Sequence, residues 1–371
     1  MHIPFCNNKC IYCDFVSTVE QRSQESYVKA LICEIEREKC NQKIDSVYIG
    51  GGTPSTLYDG AILEVLNAVQ QCFVLQDSCE ITIELNPESV TEKKLIEYKK
   101  AGVNRISMGL QCADDDMLKS IGRKHSVQTF MDASKSIRQH FDNFSTDLIL
   151  GLPLLKNDSQ NDKSKSELSF ELINKSIETA LECQVKHISA YALKIEQKTR
   201  LHKKQCDFDL CDDDLIAILY DYTVEQLSKR GFHRYEISNF ALQGYQSKHN
   251  LKYWTNGDYY GFGVSACGRH GLSYVKNTDN IKKYISGALP NVDKISVEQY
   301  KQDCIMLSLR LTRGLSLSKY RELFKEDLLQ TKSAQINQLL DNGFITIESD
   351  RLRVLEKYLY VSNSIILKII N

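Results

Sequence analysis

Three cysteines near the start of the chain have a spacing that brings thiolates together. Cys6, Cys10 and Cys13 are separated by three and by two residues, and such gaps fold a short loop around one metal ion or cluster. A structural zinc site normally uses four protein ligands, and the sequence offers no second Cys or His pair at zinc-finger spacing. A [4Fe-4S] cluster held by three cysteines leaves one iron open to a small chelating molecule. The spacing therefore favours such a cluster over a zinc site or three free thiols.

Two further motifs follow short runs of strand-forming residues. Gly50, Gly51 and Gly52 precede Thr53, and a backbone without side chains can approach a ligand closely and turn its N–H groups toward a carboxylate. Glu84 ends the next run, where its carboxylate can accept hydrogen bonds from a ribose or an ammonium group. A plain tight turn is the alternative for the glycines, and a helix N-cap or a solvated loop charge is the alternative for Glu84.

The composition excludes several classes of protein. The 371 residues are enough for two or three domains, and 47 Lys and Arg against 48 Asp and Glu give a net charge of -1, so nucleic acid is not an expected partner. No apolar run reaches the roughly 18–20 residues of a membrane span, and the N-terminus does not resemble a signal peptide. Thirteen cysteines in a chain of this kind indicate a reducing compartment, which we expect to be the cytoplasm.

Strand-like runs alternate with segments of helical period, the pattern of repeated βα units around a parallel sheet. Helices are predicted over residues 23–40, with Ser23 as the N-cap, and over 91–101, closed by Gly102. Six strands are fewer than the eight of a closed barrel, so we predict an α/β fold with a partial (β/α)6 barrel. The predicted strands are residues 1–3, 46–49, 80–85, 105–108, 145–150 and 186–191.

The alternation of strand-like and helical segments ends near residue 290. We predict a core barrel over 1–235, a connecting segment over 236–290 and a small C-terminal domain over 291–371. The last is expected to be winged-helix-like, with helices at 296–311, 316–326 and 331–342 before a hairpin of strands at 343–348 and 351–354. Residues 156–167 contain no apolar side chain and are interpreted as a disordered surface insertion.

The cysteines outside the triplet carry no predicted chemistry. Cys33 and Cys40 fall on the first predicted helix, and four others are expected to behave as small buried hydrophobic residues. These four are Cys112, Cys183, Cys267 and Cys304.

The cysteine triplet resembles that of radical S-adenosylmethionine (SAM) enzymes, and further segments extend the likeness to the oxygen-independent coproporphyrinogen III oxidase family. The resemblance runs in order from residue 2 to about residue 360. It implies a [4Fe-4S] cluster on the three cysteines with SAM on the open iron. The segments that carry it are residues 2–6, 12–15, 50–55, 109–111, 118–125, 147–153 and 235–240.

The family's SAM contacts can be transferred to matching positions of this chain. For the polar residues that end strands, the alternative is that they only form hydrogen bonds with groups of the loops. The positions implied are Tyr12, Gly51, Gly52, Thr53, Glu84, Gln111, Arg123 and Asp147.

Two subgroups of that family differ in function. The dehydrogenases carry a further cysteine two residues past the triplet, where this chain has Phe15, and a long N-terminal arm, which we do not expect in this protein. Residues 249–254 read HNLKYW and resemble the HNxxYW motif of a heme chaperone subgroup, in which the histidine is associated with heme binding. The resemblance therefore implies that His249 binds heme, which is passed to an acceptor apoprotein. The alternative for His249 is a structural histidine whose hydrogen bonds are made within the protein. Oxidative decarboxylation of coproporphyrinogen III is the alternative activity.

The family also has a few residues before the position of His2, including a tyrosine two positions upstream that contacts SAM. The chain as given begins at Met1. Our expectation is that adding a strand with this tyrosine tightens SAM binding, as calorimetry on the two proteins would measure.

Overall fold

Six parallel strands form the centre of the molecule. The computed structural model describes residues 1–155 and 163–371. The predicted partial barrel and all six of its strands are confirmed, and most of the strands are longer than predicted. The strands of this part of the chain are β1 (His2–Ile3), β2 (Lys43–Gly51), β3 (Val74–Leu85), β4 (Arg105–Gln111), β5 (Asn143–Leu150), β6 (Leu154–Leu155), β7 (His187–Ala192), β8 (Phe208–Asp209), β9 (His233–Arg234) and β10 (Asn239–Ala241).

The order of the main sheet is β1-β2-β3-β4-β5-β7-β10-β9. The six strands from β1 to β7 pair in parallel, whereas β10 and β9 extend the sheet with antiparallel pairing. The carboxyl ends of the parallel strands therefore meet at one edge, where βα barrels carry their functional loops.

Amphipathic helices cover the sheet, as the first one illustrates. Val28, Leu31 and Ile35 recur at helical spacing and are fully buried. Ser23 is the N-cap residue of this helix as predicted, but its side chain makes no capping hydrogen bond. The helices up to residue 290 are α1 (Gln24–Arg37), α2 (Ala61–Cys72), α3 (Glu92–Lys100), α4 (Asp115–Ser120), α5 (Val127–Arg138), α6 (Lys165–Glu182), α7 (Arg200–Lys203), α8 (Asp213–Lys229), α9 (Lys248–Trp254) and α10 (Ile281–Ile285).

The predicted insertion at 156–167 is only partly described. Residues 156–162 lie outside the described part of the chain. The prediction of disorder was wrong for the last residues of the segment, because α6 already begins at Lys165. Ser164 and Glu167 form a capping box there. These reciprocal hydrogen bonds stabilise the start of the helix, although residues 163–167 include no apolar side chain.

The predicted connecting segment contributes to the core of the barrel. Phe262, Val264 and Tyr284 belong to the same buried cluster as the strands and helices of the barrel. Two strands of this segment and a third just beyond its end form a three-stranded antiparallel sheet, which the sequence did not indicate. Its strands are β11 (Cys267–His270), β12 (Ser273–Lys276) and β13 (Asn291–Lys294).

The C-terminal residues have a second buried core, built from side chains between Ile305 and Ile369. The predicted helices and hairpin are confirmed, although the helices are shorter than predicted and a third strand joins the hairpin. The domain boundaries themselves stay a prediction. The elements here are α11 (Val297–Ser308), β14 (Leu315–Ser316), α12 (Leu317–Phe324), α13 (Leu328–Thr331), α14 (Ser333–Asp341), β15 (Ile345–Glu348), β16 (Arg351–Val354) and α15 (Ser362–Ile370).

All thirteen cysteines lie within the described residues and are free. Cys112 and Cys183 are buried as predicted, and Cys304 is partly buried. Cys267 is exposed, contrary to the prediction, because it starts a strand of the small sheet. Cys40 falls beyond the end of α1. Among the described residues, no helix is both long and apolar enough to cross a membrane.

Candidate functional site

A cavity of about 460 Å³ opens at the carboxyl ends of the parallel strands. Every predicted cluster and SAM residue lines it, although these residues come from several separate loops and strands. The predicted residues that line the cavity are Cys6, Cys10, Tyr12, Cys13, Gly51, Gly52, Thr53, Glu84, Gln111, Arg123 and Asp147.

The cysteine loop is held against the loop that follows α4. The Asn8 side chain donates a hydrogen bond to the Gly122 carbonyl at 2.6 Å, and the Ile11 amide donates one to the Ile121 carbonyl at 3.1 Å. Gly122 has a φ of +81°, and a Cβ at this position would lie 3.5 Å from the Cα of Cys10. A glycine is therefore favoured at this point both by its backbone conformation and by the closeness of the loop.

The three thiols share the cavity but do not surround one point. In the described part of the chain, no three His, Cys, Asp or Glu side chains are grouped so that they could hold a single metal ion. A [4Fe-4S] cluster makes a different demand, since each thiolate binds a separate iron. Burial raises the pKa of Cys6 and of Cys13. Metal binding at these two positions would therefore release protons.

The glycine loop closes against the first strand and the cysteine loop. The Gly52 amide donates to the Ile3 carbonyl at 2.7 Å, and the Thr53 amide donates to the Phe5 carbonyl at 2.7 Å. The Thr53 hydroxyl lies 3.7 Å from the Cys6 sulfur. This loop thus fixes the first cysteine as well as one wall of the cavity.

Glu84 is an acidic group at the carboxyl end of β3. Its Oε2 accepts a hydrogen bond from the Gly51 amide at 3.1 Å, and its Oε1 accepts one from the Tyr48 hydroxyl at 2.6 Å. Burial, together with the nearby charge of Asp147, raises the pKa of Glu84 to about 7, although the hydrogen bonds from Tyr48 and Gly51 act in the opposite direction. A cationic or hydroxyl-bearing ligand in the cavity would stabilise the charged carboxylate.

Arg123 contacts three different segments that line the cavity. Its Nη1 donates toward the Cys10 sulfur at 3.8 Å, and its Nη2 lies 3.2 Å from the Asn86 Oδ1 and 3.1 Å from the Gly109 carbonyl. The buried Nε has no hydrogen-bond partner. Arg123 therefore retains a donor beside the cysteine loop that no group of the described chain satisfies.

Gln111 and Asp147 come from adjacent strands. Gln111 has a φ of +68°, unusual for a residue other than glycine, and it follows an irregularity in the pairing of β4 with β5. Burial raises the pKa of Asp147, against the effects of Ser189, Arg105 and Arg123. Such strained and electrostatically perturbed positions cluster at functional sites.

His249, the predicted heme ligand, lies outside this cavity. It lines a neighbouring cavity of about 360 Å³ whose walls include Phe73, Tyr259 and Tyr260. The Nδ1 of His249 is 3.1 Å from the Ser46 hydroxyl. The imidazole is therefore held at the side of β2 and does not face the cysteines.

Tyr48 is a site residue that the sequence analysis missed. It lines both cavities, since its hydroxyl reaches Glu84 and its ring stacks on that of His249 with centroids 5.0 Å apart. Side chains alternate along a strand, so positions 48, 50 and 52 share one face. That alternation was the available signal, because Gly50, on the same face of β2 as Tyr48, belongs to the glycine motif.

Two family models match this chain. The Radical SAM superfamily model matches residues 1–160, and the HemN C-terminal domain model matches residues 295–357. Together with the partial barrel and its cysteine loop, these matches define the class as a radical SAM superfamily protein.

Curated relatives narrow this class. The chain is 30% identical over 373 residues to the heme chaperone HemW of Lactococcus lactis, covering 98% of this chain and 94% of that protein. It is 31% identical to the heme chaperone HemW of Bacillus subtilis, covering 93% of this chain and 91% of that protein. The chain belongs to the HemW family.

A solved structure has the same fold. The chain is similar to coproporphyrinogen III oxidase (HemN) from Escherichia coli, described as a radical SAM enzyme, with a TM-score of 0.83 and 20% identity. The similarity covers 99% of this chain and 88% of that one. At this identity the likeness shows the fold alone.

Proposed function

We propose that this protein is a heme chaperone that binds heme, a [4Fe-4S] cluster and SAM and passes the heme to an acceptor apoprotein. The observation that carries the proposal is the similarity to curated heme chaperones over nearly the whole chain. Membership of the radical SAM superfamily implies that the protein binds the cluster and SAM. The thirteen free thiols suit a reducing compartment such as the cytoplasm.

In this proposal the cavity at the strand ends holds the cluster and SAM. Cys6, Cys10 and Cys13 hold the cluster, which supplies an open iron and redox chemistry when it is bound. The glycine loop and Glu84 bind the amino-acid and ribose parts of SAM. Supporting features are the Gly52 loop packed on the first cysteine and the unpaired Nε of Arg123.

His249 is the proposed heme ligand. Burial lowers the pKa of His249 to about 3, so the imidazole is neutral at physiological pH and a ring nitrogen keeps the lone pair that iron requires. Its Nε2 is 2.8 Å from the Tyr253 hydroxyl, on the exposed side of α9. Displacing this hydroxyl would give iron access to Nε2 without breaking the bond to Ser46.

Phe15 favours the chaperone over the dehydrogenase. It stands where the dehydrogenases are expected to carry a further cysteine, and its side chain is 64% exposed at the mouth of the larger cavity. A phenylalanine offers no thiol at that position.

The test combines two measurements on one anaerobically reconstituted sample. Iron and sulfide analysis should give about four of each per chain, as the composition of a [4Fe-4S] cluster requires, and hemin should produce a Soret band. We expect Cys10→Ala to lose the cluster, while Cys33→Ala, an exposed cysteine on α1, keeps it. We expect His249→Ala to weaken the Soret band, and His233→Ala, an exposed histidine in β9, to leave it unchanged.

Three results would contradict the proposal. Stoichiometric decarboxylation of coproporphyrinogen III in the presence of SAM and a reductant would identify an enzyme. Reconstitution without iron would leave a protein with no cluster. A Soret band of equal strength in wild type and His249→Ala would remove His249 from the heme site.

A further inference from the structure

One side chain connects the two cavities. The Tyr48 hydroxyl donates a hydrogen bond to Glu84 Oε1 at 2.6 Å, at the wall of the cavity that the cysteines line. The Tyr48 ring lies almost parallel to the His249 imidazole, with an angle of 20° between the planes. A displacement of Tyr48 in one cavity therefore changes its contact in the other.

The remaining contacts fix the two ends of this connection. Glu84 is held by the Gly51 amide through its second oxygen. The His249 ring is held at Nδ1 by Ser46 and at Nε2 by Tyr253. If iron displaces the Tyr253 hydroxyl, the orientation of the imidazole depends on Ser46 and on the stacked Tyr48 ring.

We propose that Tyr48 is a positioning residue that couples the two sites, so that a cationic ligand beside Glu84, with SAM as the candidate, strengthens heme binding at His249. This inference rests on the proposed function. A positive charge near Glu84 favours the charged carboxylate, and a hydrogen bond to a charged acceptor is shorter and stronger than one to a neutral acceptor. The Tyr48 ring is then held more firmly against His249, so less ordering of the imidazole remains to oppose heme binding.

Coupling between binding sites is reciprocal. If SAM raises the affinity for heme by some factor, heme raises the affinity for SAM by the same factor. Tyr48→Phe keeps the ring and removes only the hydroxyl that reaches Glu84. Tyr253→Phe is the matched control, because it removes a tyrosine hydroxyl that also bonds to His249 but makes no hydrogen bond to Glu84 in the described structure.

The experiment measures the hemin dissociation constant of the anaerobic, cluster-loaded full chain, with and without saturating SAM. In the wild type we expect SAM to lower this constant by about fivefold or more, the lower end of typical coupling. In Tyr48→Phe the ratio should fall to within about twofold of one. In Tyr253→Phe the hemin constant itself should change while the SAM effect persists.

The possible failures are distinguishable. If heme and SAM both bind and neither changes the affinity for the other, the proposed coupling is wrong and the proposed function stands. Full coupling in Tyr48→Phe, or its loss in Tyr253→Phe, would show that Tyr48 is not the connection. A wild-type chain that binds no heme would reject the proposed function and this inference with it.

Discussion

Gly52 shows what a single residue position has to satisfy in this site. A Cβ at Gly52 would lie 2.8 Å from the carbonyl oxygens of Ile3 and Phe5 and 3.0 Å from the Cys6 sulfur. Two of these contacts are with backbone atoms, which cannot move aside as the end of a flexible side chain can. The glycine is thus required by the packing of the loop on the first cysteine, in addition to any approach of a ligand.

We expect Gly52→Ala to destabilise the fold and to reduce cluster incorporation. Overpacking of this kind costs about 1–3 kcal/mol in the free energy of unfolding, and the forced shift falls on Cys6. Urea unfolding and iron analysis after anaerobic reconstitution measure the two effects.

Gly244→Ala is the control for this substitution. Gly244 has a φ of +90°, so alanine is strained there, but no heavy atom lies within 4 Å of the added Cβ. This variant should lose stability and keep its iron. Equal iron content in the two alanine variants would show that crowding beside Cys6 does not matter.

The cysteines, the glycine loop and Glu84 could be selected from motifs in the sequence, and the family resemblance added the other predicted residues of the larger cavity. Tyr48 could not be selected in this way. Its contact with Glu84 depends on the pairing of β2 with β3, which is a long-range property. The position of His249 beside β2, away from the cysteines, depends in the same way on where α9 packs.

At the scale of elements, the short helix α9 is positioned by a buried carboxylate. Glu80, in β3, accepts hydrogen bonds from the Lys248 and His249 amides at 3.1 Å each and from the Ser247 hydroxyl at 3.3 Å. The first amides of a helix have no partner within the helix, and a negative charge at this end is favourable. Glu80 therefore positions the start of the helix that carries His249, together with the Ser247 side chain, which accepts a hydrogen bond from the Asn250 amide.

We expect Glu80→Gln to lower the free energy of unfolding by about 2 kcal/mol, since hydrogen bonds to a buried charged group are worth about 1.5–3 kcal/mol each and glutamine retains some of them. Hemin affinity should fall together with stability because α9 loses its anchor. Chemical denaturation and a hemin titration measure these changes.

Asp45→Asn provides the comparison on the same helix. Asp45 pairs with Lys252 of α9 at 2.5 Å, but the aspartate side chain is 44% exposed. Exposed ion pairs contribute about 0–1 kcal/mol, so this variant should remain close to the wild type in stability. A larger loss in Asp45→Asn than in Glu80→Gln would contradict the assignment of Glu80 as the anchor.

The elements were predicted best where they are long and periodic. Gly102, just past the end of α3, has a φ of +94°, as the sequence indicated, and Thr91, predicted as the first helical residue, is instead the N-cap that accepts a hydrogen bond from the Lys94 amide. The small sheet of β11, β12 and β13 was missed because β13 has every side chain exposed. A strand without a buried face lacks the alternation that identifies strands in a sequence.

At the scale of the whole molecule, the barrel meets the C-terminal residues through a short backbone pairing. Glu236 forms an isolated antiparallel bridge with Leu311, and the Thr312 amide donates to the Tyr235 carbonyl at 3.2 Å. Glu236 is fully buried at this junction and accepts a hydrogen bond from the Ser238 amide at 3.0 Å. A carboxyl group therefore lies where the two hydrophobic cores are joined.

This carboxyl group makes the stability of the junction depend on pH. Burial raises the pKa of Glu236 to about 7, against its hydrogen bonds and the charges of Arg234 and Arg310, whereas the ordinary value is 4.5. As the pH rises through this interval, the unfolded chain releases the proton first, so folding becomes less favourable. The full loss over the interval is about 3 kcal/mol.

We expect Glu236→Gln to remove this slope, because an amide does not titrate. The difference in unfolding free energy between variant and wild type should shift by about 3 kcal/mol in favour of the variant from pH 4.5 to pH 8. Its absolute value at one pH is less informative, because glutamine presents an amide group to the donors that the carboxylate accepts. Glu356→Gln, whose side chain is 67% exposed beside Arg234, should show no such shift. Parallel pH profiles for Glu236→Gln and the wild type would mean that Glu236 has an ordinary pKa and that the junction does not sense pH through it.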